Sequence, residues 1–367
     1  MTSIDGPASL APGENESQPS QAESRWAARA EALLSQLSDR FNPILVKEAR
    51  QALKSKQFLW TFAALLVCGW GWSILGVAMI GPSVYYSSQG PDMFFGYYVI
   101  LALPLLVVVP FGAFQSLAGE RQDGTHELLS ITTLSARQII SGKLGSAGLQ
   151  MLLYFSALSP CLAFTYLLRG IDVSSIAMVL FFTLLASMGL SLLALMAATI
   201  SRHRHWQAIW SVGLVLGLGW CFFWSLMMVG AWLSESRNMA AQPEFWTGCL
   251  AVVCYYLGYF LLLFLTASSL ITFQSENRSS GGRVAMLVLY LIHIGWMAGL
   301  WFGLSEREAL GPMLVFFTGT AFFHWYVLGA LMIGESPVMS QRVKRSLPQS
   351  FFGRTFLTWL NPGPGTG

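Results

Sequence analysis

Charge is what this sequence has least of. Only 11% of its 367 residues are Asp, Glu, Lys or Arg, against roughly a quarter in soluble domains. Eight long stretches hold none at all: 58–80, 94–118, 146–168, 175–200, 208–233, 249–273, 284–304 and 312–333. Each has 21 to 26 residues, and roughly 20 apolar residues cross a hydrocarbon core about 30 Å thick, so each reads as a transmembrane helix. A buried helix of a soluble protein would show a polar face, which these lack. Cysteine is scarce too. The five, Cys68, Cys161, Cys221, Cys249 and Cys254, lie in or beside apolar runs without metal-ligand spacing, and read as small hydrophobes.

Other absences narrow the function. Residues 1–23 are rich in Ser, Pro, Gly and acids and lack the basic and apolar regions of a signal peptide, so they read as a disordered tail ahead of an uncleaved first span. The pair Gly142-Lys143 is followed by Leu144 and has no upstream glycine, so it is no phosphate-wrapping loop, and ATP hydrolysis within this chain is excluded. No carboxylate sits inside a span, which argues against a proton- or sodium-driven carrier. H-E-x-x-H and G-x-S-x-G are missing as well.

What charge there is falls on one side. With the N-terminus in the cytoplasm, 18 Lys and Arg flank the spans on that side, and Arg169, Arg237 and Arg307 alone lie outside. Basic residues near helix ends resist translocation, so both termini are expected in the cytoplasm of a multi-pass protein of the plasma or inner membrane. The net charge of +3 then reflects topology, and no nucleic-acid partner is expected.

Residues 24–56 read as two amphipathic helices before a transmembrane domain over 57–333 and a cytoplasmic tail over 334–367. In the second helix, "FNPILVKEARQALKSK", Asn42 is placed as N-cap and Pro43 at the first helical position. Ile44, Leu45, Ala49, Ala52 and Leu53 share one face, and Lys47, Arg50, Lys54 and Lys56 supply the cationic one. Such a helix is expected to lie along the inner leaflet, its apolar side buried and anionic headgroups near its charges; a solvated linker helix is the plainer reading.

Between the second and third runs stands "GERQDGTHELLSITTLSARQIISGKLG", longer than a connector requires. Gly124 can end a helix, and Thr125 can cap a short one over 126–131 with Glu127 in its first turn. Ser135 and Gln138 fit a capping box that starts the next helix at Ala136. The second and third spans are thus expected to project from the bilayer, joined by a crossbar whose Leu128, Leu129 and Ile131 form an apolar side and whose Glu120, Arg121 and Glu127 offer ion pairs.

These two stretches resemble the signatures of ABC-transporter permeases of the ABC-2 class, which show Asn-Pro and a basic helix before the first span and an E-R-x-x-G-T-x-E-L-L…G-K loop after the second. The matching residues are Glu120, Arg121, Gly124, Thr125, Glu127, Leu128, Leu129, Thr132, Leu134, Ser135, Ile139, Gly142 and Lys143, with Thr133 where the class usually has Pro. The resemblance implies an exporter-type transmembrane subunit that pairs with a separate ABC ATPase subunit and a second permease chain. The 119–145 loop would be its coupling helix, with ATP bound only by the partner and no cofactor in this chain. The class commonly has six spans, so the seventh and eighth fall outside its pattern.

Rival readings rest on other residues. A non-transporting assembly or anchoring protein could use the same loop to dock. An intramembrane redox enzyme or other enzyme would use His293 and His324, which fall near the midpoints of adjacent runs; the bland reading is a hydrogen bond across a helix interface. Pro104, Pro110 and Pro160 are expected to kink their spans, and Gly213, Gly217 and Gly219 to allow close packing, within the chain or between chains. The aromatic-rich spans suit an amphipathic or lipid-like passenger, and suit plain lipid-facing packing equally well.

Overall fold

The computed structural model describes residues 43–81, 87–122, 135–200, 204–239, 243–272, 279–303, 310–333, 345 and 349–353. The tail at 1–23, the helix expected over 24–40, Asn42, and the crossbar with Gly124, Thr125, Glu127, Leu128, Leu129 and Thr132 lie outside the described residues.

The described chain is all-α. Its helices are α1 (Pro43–Leu53), α2 (Lys56–Ile80), α3 (Gly90–Leu103), a π-helical turn (Pro104–Val108), α4 (Val109–Gln122), α5 (Ala136–Leu167), α6 (Val173–Ile200), α7 (Arg204–Met239), α8 (Pro243–Ile271), α9 (Ser279–Gly303) and α10 (Leu310–Ile333). Among the described residues seven helices are long and apolar enough to cross a bilayer, the second of them the continuous unit Gly90–Gln122. The protein is therefore a multi-pass membrane protein. The eighth apolar run coincides with α10, a helix of 24 residues.

The second span is the hub. Phe94, Tyr97, Leu101, Leu105 and Leu117 are at most 1% exposed, packed among α2, α5, α6 and α7. By contrast α2 turns Leu59, Trp60, Trp70 and Ile74 outward, as a helix bathed in hydrocarbon can, because lipid solvates apolar side chains at no cost. Hydroxyl pairs stitch the interior: Ser73 with Tyr97 at 2.7 Å, Thr61 with Tyr154, and Thr183 donating to Tyr98 at 3.2 Å. Each such pair contributes roughly 0.6 kcal/mol in a bilayer.

Pro104 and Pro110 perturb this hub in a definable way. The Val109 N–H reaches back five residues to Pro104 O. The next such bond, to Leu105 O, needs an N–H at residue 110, and proline has none. The freed carbonyl accepts instead from the Ser187 hydroxyl of α6. A backbone group stranded in hydrocarbon costs several kcal/mol, so the neighbouring span supplies what the helix cannot. Pro160, in contrast, sits inside an α5 that stays one helix over Ala136–Leu167.

Among the described residues, a Cβ built on Gly213, Gly217 or Gly219 of the fifth span meets nothing within 4 Å, so these glycines make no close helix contact there.

Candidate functional site

The site begins with two glycines. On α5, a Cβ at Gly142 would stand 2.8 Å from Ile44 Cγ2 and 3.1 Å from the backbone nitrogen of Leu45, and one at Gly145 would stand 2.8 Å from Leu45 Cδ1. Only bare backbone lets α1 lie this close. Ile44 and Leu45, which the sequence would give to lipid, are spent on this contact, and Ile44 is 6% exposed. Gly142→Ala should therefore push α1 off α5 and cost about 1–3 kcal/mol, the usual range for overpacking. A thermal unfolding scan in detergent that left Gly142→Ala level with wild type would show that this contact has slack.

Seated there, α1 turns Glu48 inward. The Lys143 ammonium donates to Ser116 Oγ at 2.7 Å and to Glu48 Oε1 at 3.0 Å, and lies 3.0 Å from Glu120 Oε2. Two of its three N–H donors thus have hydrogen-bond acceptors, and the Glu120 carboxylate faces the ammonium as an ion pair. Ser116 Oγ in turn donates to Glu48 Oε2 at 2.9 Å, and Lys47 stands 3.6 Å from Glu120 Oε1. Lys143 is 2% exposed at its side chain, Glu48 8% and Glu120 16%. Two carboxylates and two ammonium groups balance, as burial of charge demands.

The same stretch of α4 reaches two more helices. Arg121 Nη1 donates to Thr199 O at 2.6 Å, in the last turn of α6, where a cation also suits the negative end of the helix dipole. Gln122 Nε2 donates to Gln207 Oε1 of α7 at 2.6 Å. Residues 116–122 thereby hold α1, α5, α6 and α7 at once. Beyond them lies the loop, and on its far side Ser135 accepts from the Gln138 N–H at 3.3 Å while Gln138 Oε1 accepts from the Ser135 N–H at 2.9 Å. That is the capping box read from the sequence, and it fixes where α5 starts.

Of the residues singled out from sequence, Glu120, Lys143 and Lys47 come together, Arg121 caps α6, Ser135 caps α5 and Pro43 opens α1. Arg50 is exposed on α1 and belongs to no ion pair of this group. Glu48, Ser116, Gln122 and Gln207 were missed. Glu48 had a signal: it stands four residues from Ile44 and from Ala52, on the buried stripe of α1, where an acid needs a buried cation.

His293 has a partner that the sequence did not announce. Its Nδ1 lies 2.8 Å from Tyr255 OH on α8, and its ring meets Phe317 edge-on at 5.3 Å; the side chain of His324 lies outside the described residues. Among the described residues no group of three or more His, Cys, Asp or Glu could hold a metal ion.

Set against protein-family models, curated proteins and solved structures, the chain matches none.

Proposed function

We propose that this chain is the transmembrane permease subunit of an ATP-driven exporter of the ABC-2 class, coupled to a separate ATPase subunit through the 119–145 loop and working beside a second permease chain. The observation that carries this is the joining of α1, α5, α6 and α7 to the seven residues of α4 that lead into that loop. A push on a loop so anchored moves several spans together, which a mere linker has no need to do. The energy source is external on this reading. Lys143, the one lysine that follows a glycine, is 2% exposed and held by Ser116, Glu48 and Glu120, where a phosphate does not reach it.

The topology proposed with it is eight spans, α10 being the eighth, with both termini and the loop in the cytoplasm. Single cysteines placed at Ala240 and Asn277, in a background whose own thiols are removed, test the topology: an impermeant maleimide applied to whole cells should label the first and spare the second. The opposite pattern at either residue contradicts it. The function itself is tested by purifying the tagged chain from its own membranes and asking whether a P-loop ATPase comes with it and whether ATP then drives a passenger across. An assembly or anchoring protein would bring partners without ATP-dependent movement.

A further inference from the structure

On paper the segment "KEARQALKSK" mixes signs. Folding separates them, because its one acid, Glu48, turns inward to Lys143 and Ser116. Lys47 and Arg50 then remain on the outer side of α1, three residues apart on one face, with Lys54 in the turn that follows, its N–H bonded to Arg50 O at 3.2 Å; all three are exposed. Among the described residues, α1 carries no carboxylate on that face, and Glu120 of α4 reaches Lys47 from the inner side. Ile44 and Leu45, at the start of α1, are at the same time taken up by Gly142 and Gly145 of α5, and the exposed charges of α1 are cations.

Where this face lies follows from the chain. Ser55 caps α2, accepting from the Phe58 N–H at 3.1 Å, only one residue after Lys54. One turn into α2, Leu59 is 65% and Trp60 75% exposed, side chains that a span shows only to lipid, with tryptophan favouring the boundary with the headgroups. Lys54 thus precedes the lipid-facing Leu59 by five residues, and Lys47 precedes it by twelve, so these cations adjoin the end of the span where the chain meets the headgroups.

We propose that the outer face of α1 and the turn that follows it, formed by Lys47, Arg50 and Lys54, is a docking surface for anionic phospholipid headgroups. It holds them by charge and hydrogen bonds to phosphate, without inserting apolar side chains. The proposal needs no ATPase partner, so it stands or falls apart from the permease reading. Lys47 serves two anions, the headgroup outside and Glu120 at 3.6 Å inside, so the bound lipid and the ion group share a residue.

The experiment reconstitutes the full chain in phosphatidylcholine vesicles and measures, by electron spin resonance, the preference of spin-labelled phosphatidylglycerol over phosphatidylcholine for the protein surface. Wild type should prefer the anionic lipid, and Arg50→Gln/Lys54→Gln should lower that preference about fivefold per charge removed, since each basic residue near an anionic surface contributes about that factor. Both side chains are exposed and outside the ion group, so folding should hold, as matching elution and thermal unfolding will verify. Arg50→Lys/Lys54→Arg should keep the preference. The proposal is overturned by an unchanged preference in the Gln variant, or by equal displacement with soluble glycerol phosphate, which would make this a small-anion site. It is also overturned if the Gln variant keeps its lipid preference but loses a co-purifying protein, which would assign the face to an acidic partner.

Discussion

Replacing Lys143 with methionine should cost the protein about 3–5 kcal/mol, the penalty of leaving a buried ion group without its counter-charge. Met fills the lysine's space, so the loss is electrostatic: Glu48 and Glu120, 8% and 16% exposed, are left facing each other with Lys47 alone at the edge. Glu48→Gln should cost less, since its amide oxygen can still accept from Lys143 and Lys143 keeps Glu120. The double variant should fall short of the sum by about 0.5–3 kcal/mol, because the two residues act through one network. Unfolding in mixed micelles of increasing sodium dodecyl sulfate gives all three values. Lys143→Met within about 1 kcal/mol of wild type would show that the ion group does not hold α1 in place, well below the penalty expected for a broken buried pair.

A second large effect is expected at the crossbar. If Leu128 and Leu129 dock in an ATPase groove, Leu128→Ala/Leu129→Ala should weaken that association by roughly 2 kcal/mol or more, about thirtyfold, since truncating buried leucines forfeits their transfer energy. Glu127→Lys should weaken it further and make it salt-sensitive. Membrane levels and thermal unfolding should stay at wild-type values in both, because the substituted residues lie between the spans and not within them. Binding of the partner ATPase, titrated against the chain in nanodiscs, measures the effect. Equal affinities would leave the loop a linker.

The spans were legible because lipid imposes one rule on every residue inside it: no charge, and backbone bonds satisfied locally. Pro43 at a helix start and the Ser135–Gln138 box were legible for the same kind of reason, since caps are decided within four residues. What decides the site is not local. Nothing near Glu48 in sequence announces Lys143, 95 residues away, and the pairing exists only because Gly142 lets α1 settle on α5. Likewise, Pro104 and Pro110 promised a kink, but the π turn between them and its repair by Ser187 depend on which span stands alongside. Arg121 was singled out, with Glu120 and Glu127, to offer ion pairs at the crossbar; in the structure it caps a helix that begins 52 residues later, at Val173.

The claim that the chain is driven from outside is tested most directly by affinity purification from native membranes, wild type beside Leu128→Ala/Leu129→Ala. A P-loop ATPase should be recovered near one per chain with wild type and be largely lost with the variant, while ATP-dependent movement of a passenger follows the same pattern. Recovery of no ATPase with wild type, or equal recovery and equal movement with both, contradicts it.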